Sequence, residues 1–347
     1  VSTVLKEKYA KKTRRKKIII IATLFTVFCT CIADLLTGPA MLSLPMVIQT
    51  IFMPDTMSTF ERTIIWDIRL PVAIAALLVG VSLAVGGAEM QTILNNPLAS
   101  PYTLGLSSAA GFGAAVIIVL GRNFPYLPYK YLVPIGAFGF AFLGAFVLFF
   151  ISKRRKSSSE TLILAGIALS FLFSALQGVI QFLASAEQNQ AVVFWLFGSL
   201  YKVDFISLTI IFLVLLVCIP FLYRNVWKLT ALRLGDDTAQ SLGINVHRMR
   251  IEILVLVSIL TATAVSFVGT IGFVGLVSPH IARILVGEDQ RFFLPFSAII
   301  GALILSGTSI VSKLILPNII FPIGILTSLL GVPFFLWIIF SNRRSFW

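Results

Sequence analysis

Apolar runs separated by short polar or basic breaks recur along almost the whole chain. A helix that crosses a bilayer takes roughly 20 mostly apolar residues. Runs near that length occur at Ile18–Leu36, Ile64–Ala88, Leu104–Leu120, Leu132–Ile151, Leu162–Ala184, Phe205–Tyr223, Ile251–Val268, Phe273–Val286, Pro295–Leu316 and Ile323–Phe340. The third and eighth are short. The pattern predicts an all-α integral membrane protein with ten transmembrane helices. It divides into a basic tail at 1–17 and one polytopic domain at 18–347, with a polar loop at about 228–249 between the sixth and seventh runs.

One stretch departs from simple lipid-facing helix. Residues 267–283 are apolar overall, yet carry Gly269, Gly272, Gly275, Pro279, His280 and Arg283. Broken, glycine-rich backbone is tolerated at membrane depth only where protein or a water-filled cavity surrounds it. This favours a function inside the bilayer over simple anchoring.

Composition supports the membrane reading: 58% of residues are hydrophobic, 12% are charged and the mean hydropathy is +0.99. The formal charge of +13 raises nucleic acid as a partner, but its placement argues otherwise. With ten spans and an inside N-terminus, 21 of the 27 Lys and Arg residues fall on one side. They cluster in residues 1–17, at Lys153–Lys156, between Arg224 and Arg250, and at Arg283, Arg291, Arg343 and Arg344. Arg62, Arg69, Arg122, Lys130, Lys202 and Lys313 fall on the other side. This is the positive-inside bias, which places both termini in the cytoplasm, and the basic tail reads as a topology determinant touching anionic headgroups. Phe28 precedes Cys29 where a lipid-attachment site wants a small residue, so the first run reads as a retained helix. Cys29, Cys31 and Cys218 sit inside predicted spans without metal-ligand spacing and read as inert thiols.

Several chemistries are excluded. No Gly-x-x-x-x-Gly-Lys-[Ser/Thr] loop is present, so nucleotide phosphates are not held in the usual way. His247 and His280 lie apart with no carboxylate or cysteine cluster, which argues against a metal site or a catalytic triad. Asp34, Glu89, Glu160 and Glu252 fall near the ends of predicted spans. An ion-coupled secondary carrier usually needs ionisable or coordinating groups near mid-membrane, so that class is disfavoured.

Two constellations remain. Ser170, Ser174, Gln177 and Gln181 are spaced four, three and four residues apart and share one face of the fifth helix. They suit either hydrogen bonding between helices, at about 0.6 kcal/mol each, or a face lining a hydrated path. In the polar loop, Leu232–Gly243 offers Asp236 as a cap and Asp237 in the first turn of a short helix, and Gly243 as its stop. Leu234, Ala239 and Leu242 form its apolar edge, and a second short helix follows Asn245. This hairpin suits either docking or lying on the membrane. Further on, Ser278 and Pro279 suit a helix start, with His280 and Arg283 in structural roles.

Five segments together resemble the permease subunits of ATP-binding-cassette importers for iron–siderophore complexes, haem and cobalamin. They are Ile68-Arg69-Leu70-Pro71; Gln91 with Asn96-Pro97-Leu98-Ala99-Ser100-Pro101 and Leu104-Gly105; Leu164-Ala165-Gly166; the Leu234–Gly243 loop; and Gly272–Arg283 followed by Pro322-Ile323-Gly324 and Gly331-Val332-Pro333-Phe334-Phe335. The likeness runs from about Trp66 to Phe335. It implies the type II importer permease fold, two permease subunits side by side, two separate ATPase subunits and an extracytoplasmic substrate-binding protein. ATP and Mg would be held by the ATPases, so this chain needs no cofactor and is not itself an enzyme.

The resemblance also assigns roles. Ser170, Ser174, Gln177 and Gln181 would line the translocation path between the two permeases. Leu234, Gly235, Asp236, Asp237, Ala239, Leu242 and Gly243 would couple to the ATPase. Apart from the resemblance, Ser159 and Thr161 are candidates for an inner gate from their position just before the fifth run, although a Ser-rich turn can simply be solvated loop. Arg69 and Lys313 would receive carboxylates of the binding protein on the outer face. Here the family's second arginine after the proline is Val72, and its Asp…Arg pair is Ser309 and Lys313. That reduced pocket favours two different permeases over two copies. The leading reading is a siderophore-importer permease in a bacterial cytoplasmic (inner) membrane; the alternatives are haem or cobalamin as cargo, or a secondary carrier.

Overall fold

The computed structural model describes residues 2–40, 42–121, 128–155, 159–316 and 319–341. Arg122, Lys156, Arg343 and Arg344, counted above in the charge bias, lie outside them. The described chain is helical: α1 (Ser2–Leu36), α2 (Leu44–Phe52), α3 (Thr59–Arg62), α4 (Leu70–Ile93), α5 (Leu106–Leu120), α6 (Tyr129–Arg155), α7 (Ser159–Leu183), α8 (Ala186–Leu196), α9 (Phe205–Arg224), α10 (Val226–Leu232), α11 (Asp236–Ser241), α12 (Val246–Val268), α13 (Val274–Val286), α14 (Gln290–Leu314) and α15 (Ile323–Ser341). Seven helical stretches are long and apolar enough to cross a membrane; α5, α13 and α15 are shorter apolar helices. Each of the ten predicted spans is one of these helices.

α1 runs 35 residues, about 52 Å at 1.5 Å per residue, against a hydrocarbon core of about 30 Å. Its first turns carry the basic residues Lys6–Lys17, which are mostly exposed. The end of the molecule that bears them, together with Arg233, Arg250, Arg283 and Arg291, is called the basic face below.

α4 sits at the centre. Two-thirds of its most apolar window is buried, against 11% for α1 and α7. It is continuous with α3 through a π-helical segment at Thr63–Arg69. Small residues let its neighbours approach closely, as suits helices whose packing gains little from apolar transfer. A Cβ at Gly87 would stand 1.6 Å from the Gly275 carbonyl oxygen of α13, and one at Gly80 2.4 Å from that of Gly301 in α14. α4 therefore touches both helices backbone to backbone.

Several boundaries differ from expectation. α4 extends to Ile93, so Glu89 lies inside it and is fully buried. α13 begins at Val274 after Phe273, whose φ of 64° breaks the chain, so Pro279 is interior and Ser278 caps nothing. Asn245 does accept from the Arg248 N–H at 2.9 Å, but the helix it starts is the span α12 itself. α8 was not expected as a helix. Ser185 opens it with a capping box, accepting from the Gln188 N–H at 3.3 Å while its own N–H donates to Gln188 Oε1 at 2.9 Å.

Candidate functional site

The segments that carry the family resemblance meet in space. Gly166 packs on Leu104, with a virtual Cβ 2.7 Å from the Leu104 Cα, and the Gly324 N–H donates to the Phe197 carbonyl at 3.0 Å. Tyr102, Leu196, Phe197, Thr270, Gly272 and one side of α15 that includes Gly324 and Ser328 line a cavity of about 500 Å³. Sequence reasoning missed Tyr102, Thr270 and Ser328. Their signal was faint, since they form no row: Tyr102 stands in the turn before α5, Thr270 follows Gly269 between α12 and α13, and Ser328 sits inside the apolar α15.

The polar row of α7 lies near this cavity: a Cβ at Gly105 would meet Ser170, and one at Gly111 would meet both Gln177 and the cavity-lining Leu196. Ser170 donates to the Gly166 carbonyl at 3.0 Å, and Gln181 Nε2 donates to Asn189 Oδ1 of α8 at 3.1 Å. Gln177 stands against Gly111 of α5, where Leu196 also arrives. The structure therefore brings Ser170, Gln177 and Gln181 together, half-buried, among α5, α7 and α8; Ser174 is exposed. The opposite flank of α7 is apolar and open, with Phe171 and Phe182 74% and 87% exposed.

On the basic face the expected short helix forms as α11, but its partner in the hairpin is the preceding α10 and not a short helix after Asn245. Gly235 takes φ 104° before α11, and Gly243 takes φ 80° just after it, a conformation glycine adopts without strain. Asp236 is the first helical residue and makes no cap; its carboxylate instead accepts from Arg250 Nη2 at 2.9 Å. Ala239 is buried, while Leu234 and Leu242 are 69% and 64% exposed. These two leucines form an apolar edge facing away from the protein.

The hairpin is clamped. Arg233 Nη1 donates to Asn95 Oδ1 at 3.0 Å, and its Nη2 pairs with Glu288. Glu288 also pairs with Arg283 at 3.1 Å, and Arg283 donates to Gln91 Oε1 at 3.1 Å. Arg291 stacks over Trp227 of α10 at 4.3 Å, a favourable cation–π arrangement. Hydrogen bonds from Arg291 hold the Asp289 carboxyl below the usual carboxylate range. Ser159 lies beside the hairpin; Thr161, in the first turn of α7, is half-buried.

Arg69 and Lys313 require a correction. Neither presents its charge outward: Arg69 is 4% and Lys313 8% exposed. The Arg69 guanidinium donates to the carbonyls of Leu35 at 2.8 Å, Leu36 at 3.0 Å and Ala40, satisfying acceptors at the C-terminal end of α1. Lys313 Nζ meets Asp34 Oδ1 at 2.8 Å and the Asp34 carbonyl at 2.9 Å. The acid absent at Ser309 is thus supplied by α1. Nearby, burial pushes the Tyr201 hydroxyl up to about 12, Asp34 adding to the effect and Arg69 opposing it. Val72 is buried as well.

Ten apolar helices, a cavity near a polar row and a clamped hairpin with an apolar edge fit the permease class of the ATP-binding-cassette importers. Comparison with known proteins agrees. Residues 18–341 match the model of the FecCD transport family, and the chain belongs to that family. It is 40% identical to an ABC transporter permease protein of Methanocaldococcus jannaschii, over 97% of this chain and 98% of the relative. It is 42% identical to an iron chelatin transport system permease protein of Helicobacter pylori, over 81% and 83%. A solved structure, described as an inward-facing conformation of a metal-chelate type ABC transporter, superposes with a TM-score of 0.83 at 30% identity, covering 94% of this chain and all of that one.

Proposed function

We propose that this chain is the transmembrane subunit of an ATP-driven importer of iron–siderophore complexes. Two such permeases enclose the path, with the cavity at Tyr102, Thr270 and Ser328 and the polar row of α7 on its wall. The uncharged Ser, Thr, Gln and Tyr groups suit a large cargo that hydrogen-bonds. The basic face is cytoplasmic, and the α10–α11 hairpin seats on a separate ATPase through Leu234 and Leu242, with an extracytoplasmic binding protein delivering cargo to the other face. The observation that carries this reading is that exposed apolar edge beside a clamped charge network, at the face where an ATPase would sit. A second permease of different sequence was expected from the reduced pocket at Val72, Ser309 and Lys313; these positions are buried, so the pocket does not choose between two different chains and two copies.

The test is uptake into proteoliposomes that hold the permease with its ATPase and binding protein. Labelled ferric hydroxamate and catecholate siderophores are compared with hemin and cobalamin. Uptake of a ferric siderophore that needs ATP and survives a proton uncoupler is expected. Uptake without the ATPase, or its abolition by the uncoupler, would overturn the transport mechanism; a preference for hemin or cobalamin would overturn the cargo.

A further inference from the structure

Arg250 joins four helix ends. It stands one turn into α12, 8% exposed. Nε donates at 2.8 Å to the carbonyl of Ile93, the last residue of α4. Nη2 donates at 2.9 Å to Asp236, the first residue of α11, and at 3.2 Å to the hydroxyl of Ser159, the first described residue of α7. The planar guanidinium holds its donors in a fixed fork, so these partners cannot be re-aimed one at a time.

The two sides of the fork meet different surroundings. Ile93 belongs to the central helix, which touches α13 and α14 backbone to backbone. Asp236 is 42% exposed on its side chain and leads the helix between exposed Leu234 and Leu242. Ser159 opens the helix that carries Ser170, Gln177 and Gln181, and whose apolar window is only 11% buried. One nitrogen therefore spends its two hydrogens on the docking hairpin and on the helix beside the cavity, while Nε is fixed to the core.

We propose that Arg250 is a positioning residue that transmits displacement of the α10–α11 hairpin to the basic-face end of α7. Movement of Asp236 re-aims Nη2 about the Ile93 anchor, and Ser159 follows or is released. This rests on the hairpin being the ATPase seat. Charge alone would not suffice: lysine keeps the ion pair with Asp236 but lacks the fork that reaches Ser159 and Ile93 together.

The experiment places a spin label at Glu160→Cys, an exposed position in the first turn of α7, in the assembled transporter with native cysteines replaced. Label mobility is recorded without nucleotide and with Mg-ATP and vanadate. In the parent a nucleotide-dependent change is expected. In Arg250→Lys and in Ser159→Ala that change falls at least threefold, while ATP hydrolysis stays within twofold of the parent. Ser159→Ala removes one hydroxyl at a helix start and keeps folding out of the question. A full nucleotide response in both variants would overturn the relay and leave the permease reading standing. A parent label that does not respond would overturn the relay too, since α7 then does not move, while the permease reading is judged separately by ATP-dependent uptake.

Discussion

Two basic clusters sit at opposite ends of the helix bundle and use the same chemistry to different ends. Away from the basic face, Arg69 and Lys313 are spent inside the protein on the end of α1, and Asp34 is fully buried. At the basic face, the acids of the clamp are open to solvent: Asp236 and Glu288 are 42% and 46% exposed on their side chains, while Arg250 and Arg233 are 10% and 12% exposed. A buried pair loses several kcal/mol if one partner is removed. In a half-exposed pair water can take the partner's place at the open acid, even where the arginine is buried. The first arrangement locks helices together; the second lets a surface element change its bonds without unfolding what lies beneath.

The largest effect that separates the two clusters is expected from Lys313→Met. It leaves Asp34 charged and buried without a cation, a loss of about 3–5 kcal/mol, seen as a marked fall in the thermal unfolding midpoint in detergent. Asp34→Asn combined with Lys313→Met recovers much of it; failure to recover would show that the lock depends on more than this pair. Arg69→Gln comes next. It strips donors from the Leu35, Leu36 and Ala40 carbonyls and lowers stability by about 1–3 kcal/mol, measured the same way. At the other end Glu288→Gln, which removes the acid shared by Arg233 and Arg283, changes stability by no more than about 1 kcal/mol. Its signature is fewer cargo molecules moved per ATP; a loss as large as that of Lys313→Met would erase the contrast.

The smallest effect is one of pH, at a third pair. Burial opposes the charge of Asp204, but hydrogen bonds from Lys130 at 2.6 Å and from the Ser207 hydroxyl and N–H hold its carboxyl below the ordinary range. A carboxyl depressed in the folded state adds stability above its unfolded pKa of about 4, and that stability is lost as pH falls through the folded value. Asp204→Asn should lower the melting midpoint slightly at pH 7, with the gap narrowing below about pH 4. A gap that stayed constant with pH would assign the loss to the cap alone.

The spans were legible because bilayer thickness sets a length that composition reveals, and Gly243 and Asn245 marked helix limits by residue type alone. α8 was legible in part: Ser185 and Gln188 form the capping pattern before Val192–Leu196, but its eleven residues are too few for the length signal that marks a span. What could not be read were partners distant in sequence. Lys313 and Asp34 are 279 residues apart, so an outward charge and a buried pair look alike on the page. Asp236 read as a cap because local rules see only its own turn, whereas Arg250 arrives from the next helix. The polar row of α7 was found by periodicity, but the nearby cavity is assembled from four segments far apart in sequence, so no one period reveals it.

The bare backbone contacts of α4 at Gly87 and Gly80 carry a last consequence. Where no side chain intervenes between two helices, there is nothing to repack, so neither can roll or slip against the other without opening a gap. α4, α13 and α14 must then travel as one solid piece through any change of shape, and bending has to be shared among the loosely covered helices around them. A bulkier residue at Gly87 would accordingly prevent assembly of the bundle and would not register as a selective defect in transport.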